Sequence, residues 1–69
     1  MKVQEAIKTI ETLRGYKFIQ RGRDYYTNQM NYYFRTSKGG VRVFSMGGLR
    51  IRAERERWFA ENYQQQESN

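Results

Sequence analysis

The 69-residue chain contains no cysteine and no histidine, and Asp24 is its single aspartate. Without cysteine there are no disulfides and no thiolate metal sites. Without histidine the commonest remaining ligand for transition metals is gone as well. Neither a Cys–His nor a Ser–His pair can be assembled for nucleophilic catalysis. A metal-dependent nuclease needs several convergent carboxylates, whereas Glu54, Glu56 and Glu61 are spaced as ion-pair partners on a helix surface. A tyrosine nucleophile needs a neighbouring base, and none is identifiable beside Tyr25, Tyr26, Tyr32 or Tyr33. No enzymatic activity, catalytic residue, cofactor or metal is therefore expected. No stretch approaches the roughly 20 apolar residues that cross a bilayer. The opening MKVQEAIKTIE carries no signal-peptide run. The expected setting is the cytoplasm, with no membrane partner.

A chain this short forms one domain, 1–69, with a modest core. Trp58, six tyrosines and four phenylalanines supply large buried area per residue and partly substitute for core size. Thirteen Lys and Arg face seven Asp and Glu, giving a net charge of +6. The distribution is more informative than the total. Nine cations lie between Arg14 and Arg52, opposed there only by Asp24, while the glutamates sit toward the two ends. Nine of the thirteen are arginine, which suits forked hydrogen bonding to phosphate and stacking on rings. A basic middle on a small domain is the electrostatic footprint of nucleic-acid binding. It is also what a solubilising surface looks like.

Val3, Ala6, Ile7, Ile10 and Leu13 recur at three- and four-residue steps and predict a helix over 3–14, closed by Gly15. The period then changes to two. Segments 16–21, 32–36 and 41–46 are rich in aromatic and β-branched residues and read as strands. Ser37-Lys38-Gly39-Gly40 is a hairpin turn between the last two. Residues 27–31 carry turn chemistry, Tyr25 and Tyr26 extend a neighbouring strand, and Gly22 marks a bulge or a strand end. The last third reads two ways. One is a helix from Leu49 to about Gln65, with pairs Arg50–Glu54, Arg52–Glu56 and Arg57–Glu61 and an apolar face of Leu49, Ala53, Phe59, Ala60 and Tyr63. The other makes Gly47-Gly48 a second turn and Leu49–Ala53 a fourth strand, with a helix from Glu54. Residues 64–69 are polar and expected to fray. The fold class is α+β: N-terminal helix, three-stranded antiparallel β-meander, C-terminal helix, both helices on one sheet face.

Strand alternation divides the sheet. Tyr16, Phe18, Tyr32, Phe34, Val41 and Val43 are assigned to the core side. The open side then carries Lys17, Ile19 and Arg21, Tyr33 and Arg35, and Arg42 and Phe44. Arg23 and Lys38 rim it, and Arg50 and Arg52 flank Gly48. Guanidinium groups interleaved with rings suit a nucleic acid, since phosphates pair with the former and bases stack on the latter. Every antiparallel sheet with one wet face also needs polar residues there.

SKGGVR and SMGGLR hold paired glycines without the phosphate-loop spacing, although SMGGLR before a helix could turn backbone N–H groups to a phosphate. The order of elements resembles that of double-stranded-RNA-binding domains and of HicA-type toxins. The first family has a lysine-rich start to its second helix where this chain has GGLRIRAER; the second relies on a histidine, which is absent. Strands followed by a helix are similar to arm-site DNA-binding domains of integrases. These likenesses are of layout alone. Two readings follow: a non-enzymatic nucleic-acid-binding module, for DNA or RNA, or a small phage- or mobile-element-type protein that inhibits or adapts an acidic protein partner. Homodimerisation through Ile51, Trp58 and the aromatic face is a third.

Overall fold

The computed structural model describes residues 1–67, with side chains described as far as Tyr63. Helix α1 (Val3–Arg14) ends on Gly15, whose φ of 70° lets its N–H reach the Glu11 carbonyl at 3.1 Å. Strands β1 (Lys17–Arg23), β2 (Met30–Arg35) and β3 (Val41–Ser45) follow, and α2 (Met46–Glu67) completes the chain. The sheet is antiparallel in the order β1-β2-β3, so the middle strand is paired on both sides and the other two are edges. The α+β architecture expected from the sequence is the one observed.

The core joins three elements. Ala6, Ile7 and Ile10 come from α1, Tyr32 and Phe34 from β2, and Leu49 and Ala53 from α2. Phe34 is fully buried between Phe18 and Phe44, its ring centroid 5.3 and 5.6 Å from theirs in edge-on contacts. Large side chains buried this way stabilise a fold by about 1.5–3 kcal/mol each. Three polar contacts pin the layers together. The Phe18 N–H on edge strand β1 donates to the Glu11 carboxylate at 3.0 Å. Arg57 reaches Glu5 at 2.8 Å, and the N-terminal ammonium reaches Glu54 at 3.3 Å.

Of the two readings for the last third, the long helix is the correct one. It starts directly after β3, where Ser45 Oγ accepts the Gly48 N–H at 3.1 Å and caps the first turn. Leu49 and Ala53, four residues apart, are both buried, whereas strand alternation would have buried Ile51, which is 61% exposed. Phe59 and Tyr63, expected on the buried face, are exposed, because the packed part of α2 ends near the half-buried Ala60. Of the expected i,i+4 pairs only Arg52–Glu56 is made; Glu54 and Arg57 are drawn to the N-terminus and α1 instead. The fraying expected of 64–69 concerns side chains, and for 68–69 also backbone, outside the described residues.

Two register features overturn the expected face assignment. Between β2 and β3, Arg35 pairs with Val41 and Phe34 with Arg42 across the 36–40 turn. Directly opposed residues share a face. Arg42 and Phe44 therefore lie on the helix-covered side with Phe34, and Val41 and Val43 lie on the open side, 57% and 49% exposed. Between β1 and β2 a bulge falls between Phe18 and Gln20, so that Arg21 stands opposite the buried Tyr32. Arg21 thus leaves the open face, and the bulge sits at Ile19 instead of Gly22.

Candidate functional site

The open sheet face retains Lys17, Ile19, Tyr33 and Arg35 of the residues expected there, with Val41 and Val43 exposed beside them. It has an apolar strip with two cations at the end nearer the 36–40 turn and the neutral polar Gln20, Asn31 and Ser45 toward the other, not a lattice of arginine and rings. Arg21 and Arg23 stand near the opposite end of β1. Arg23 closes the adjoining loop through Asn28, donating to its carbonyl and side-chain oxygens at 3.4 and 3.3 Å. Arg50 and Arg52 are separated by two helical steps of 100°, which puts them on opposite flanks of α2.

The cations converge elsewhere. Arg14 at the end of α1, Lys38 in the β2–β3 turn and Arg42 on β3 line one cleft of about 530 Å³, together with Tyr16, Thr36 and Ser37. No carboxylate lines it. The turn that forms its wall is set by sequence. Gly39 has a φ of 89°, a conformation that glycine adopts without steric cost. The Thr36 N–H donates to the Gly40 carbonyl at 2.8 Å, and Thr36 Oγ1 accepts the Gly40 N–H at 3.0 Å. On the other wall Arg14 divides its guanidinium. One nitrogen donates to Glu56 and the other to the Tyr16 hydroxyl, each at 3.1 Å. The hydrogen bond from Arg14 holds the Tyr16 phenol below the ordinary tyrosine range against opposing burial, and the positive charges of Arg14, Arg42 and Arg52 act in the same direction.

Arg14 also borders a second hollow, lined by Arg52, Arg55, Glu56 and Phe59. Glu56 Oε1 bridges Arg14 and Arg52, at 3.1 and 3.4 Å. The two hollows make one continuous stripe: Lys38 and Arg42, then Arg14 beside Tyr16, then Arg52 and Arg55 beside Phe59. Glu56 is the single acid within it among the described residues. Of the nine cations between Arg14 and Arg52, only those two are ion-paired among the described residues.

The sequence reading missed Arg14, Tyr16, Arg55 and Phe59 as members of this surface. It also placed Tyr25 and Tyr26 in strands. They stand instead at the tip of the 24–29 loop, 98% and 99% exposed. Asp24 shapes that tip: its side chain accepts the Tyr26 N–H at 2.8 Å and its backbone carbonyl accepts the Asn28 N–H at 2.8 Å. The signal for these rings was the Asp24–Asn28 bracket itself, a turn-forming pair around two aromatics. Ile51 and Trp58, expected at a dimer contact, are exposed on α2 away from its buried face. Among the described residues no helix is long and apolar enough to cross a membrane, and no three acidic, histidine or cysteine side chains gather as a metal site.

Compared with protein families, with curated proteins and with solved structures, the chain finds no match.

Proposed function

We propose that this protein is a non-enzymatic nucleic-acid-binding module that grips the phosphate backbone along the stripe from Lys38 through Arg14 to Arg55. The observation that carries the reading is the cleft at one end of that stripe. Three cations, a phenol and two hydroxyls line it without a carboxylate, and Glu56 in the neighbouring hollow engages only Arg14 of the three cations. Arginine supplies most of the stripe's charge and matches phosphate with paired donors. Tyr25 and Tyr26 present flat faces, which suits stacking on unpaired bases. The cell interior is the setting in which such a partner is met.

The test is binding of labelled single- and double-stranded oligonucleotides across a salt series. Affinity is expected to fall steeply as salt rises, because each neutralised phosphate releases counterions. Lys38→Ala and Arg42→Ala are each expected to weaken binding uniformly across sequences and to reduce the salt slope by about one. Absence of binding tighter than about 100 μM at physiological salt, the weak limit of non-specific affinity, overturns the proposal.

A second reading has its own support. Ile19, Val41 and Val43 form an exposed apolar strip bordered by Lys17 and Arg35, which suits an acidic protein surface better than a nucleic acid. Retention on heparin without oligonucleotide binding is the result that favours it.

A further inference from the structure

We infer that the cleft between the end of α1 and the β2–β3 turn is a pocket for a terminal phosphate monoester of a nucleic-acid strand, as against a phosphate within the strand. This rests on the nucleic-acid reading above and names the part of the ligand that the cleft takes.

Three features of the cleft select a chain end. The first is shape. It is an open-mouthed cleft of about 530 Å³ with the 36–38 part of the turn on one side and Arg14 and Tyr16 on the other. A terminal phosphate has one ester linkage to lead out of the cleft, whereas an internal phosphodiester has two. The second is charge. Glu56 offsets part of the Arg14 charge from the neighbouring hollow, but Lys38 and Arg42 have no ion-pair partner among the described residues. Two uncompensated cations match a monoester, which carries about −1.5 to −2 near neutral pH, better than a diester of single charge.

The third feature is donor supply. Thr36 Oγ1 already accepts the Gly40 N–H, and the Tyr16 oxygen already accepts an Arg14 N–H. Each oxygen accepts one bond from inside the protein and neither hydroxyl donates to a protein group among the described residues, so both hydrogens are available to an anion. The Ser37 hydroxyl stands beside them. A monoester presents three acceptor-only oxygens and so uses every one of these groups in its available sense.

The experiment compares oligonucleotides of one sequence carrying a 5′-phosphate, a 3′-phosphate or hydroxyls at both ends, by competition against a labelled hydroxyl-ended strand. One phosphorylated form is expected to bind about tenfold tighter, the gain of a charge-assisted hydrogen-bond set. Whichever end is preferred identifies the polarity of the bound strand. The preference should shrink as pH falls below about 6, where the monoester takes up its second proton. It should vanish in Lys38→Ala/Arg42→Ala and persist in Lys8→Ala, which removes the same kind of charge from the α1–α2 groove. If all three oligonucleotides bind alike with a normal salt slope, the pocket is overturned and the backbone-binding reading stands. A preference that survives Lys38→Ala/Arg42→Ala also overturns it, by locating the end elsewhere. If none binds, both readings fall.

Discussion

Phe34 and Arg42 are cross-strand partners with opposite roles. Phe34 is fully buried among aromatic rings, while Arg42 projects from the same side of the sheet at its exposed edge. Phe34→Ala is expected to cost about 3–5 kcal/mol in urea denaturation, the range for an aromatic truncated in a packed core. Arg42→Ala should leave the midpoint within about 0.5 kcal/mol and act on ligand binding alone. Tyr25 and Tyr26 repeat the contrast. With no packing to lose, Tyr25→Ala/Tyr26→Ala should leave stability unchanged and cost about 1–3 kcal/mol per stacked base in single-strand affinity. Equal affinity of the variant and the parent would remove these rings from the binding surface. Tyr16 carries a third expectation. Because Arg14 lowers its pKa in the folded state, this group adds stability only in the alkaline range. The gain begins above the folded pKa, is complete above the unfolded one, and is absent at neutral pH. Difference titration against Tyr16→Phe should show one phenol ionising ahead of the ordinary tyrosine range, and Arg14→Ala should return it there.

Helix α1 could be read directly, since its apolar spacing and its glycine cap agree and nothing outside the helix competes with them. β3 could not. In V-R-V-F the two valines look like the core face, yet register is set by the turn, and the five residues 36–40 between paired Arg35 and Val41 put Phe44 in line with the central strand. Phe44 packs edge-on against Phe34 and buries more area than a valine would. The consequence can be checked: Val43→Thr should change stability by no more than about 0.5 kcal/mol, whereas a core valine would cost several times that. The bulge at Ile19 moved Arg21 in the same way, because one inserted residue reverses every side chain beyond it. The site was only partly readable for a related reason. Lys38 and Arg42 were expected as binding residues, but Arg14 and Arg55 join them through tertiary packing of α1 on α2, which no local pattern encodes. At the boundary between β3 and α2, Ser45→Ala should cost about 1 kcal/mol by removing the cap. Glu5, whose pKa the Arg57 hydrogen bond lowers, ties the two helices at neutral pH. That tie is lost as pH falls through the folded-state value, so Glu5→Gln should flatten the acid limb of the stability curve.

Taken together, the elements place charge unevenly over one small body. The stripe from Lys38 to Arg55 follows the seam where the β2–β3 turn, the end of α1 and α2 meet, and the open sheet face is left with Lys17 and Arg35 as its cations. The sheet has three strands, so two of them are rims with backbone groups left unpaired by the ladder, the usual template for strand-by-strand aggregation. Lys17, Arg21 and Arg23 stand along one rim, which the bulge at Ile19 also bends, and Arg42 stands on the other. Copies approaching edge to edge thus meet like charge and a kinked ladder. Dilute buffer should keep concentrated solutions clear, and turbidity should rise with sodium chloride as the screening length contracts from about 30 Å at 0.01 M to about 3 Å at 1 M.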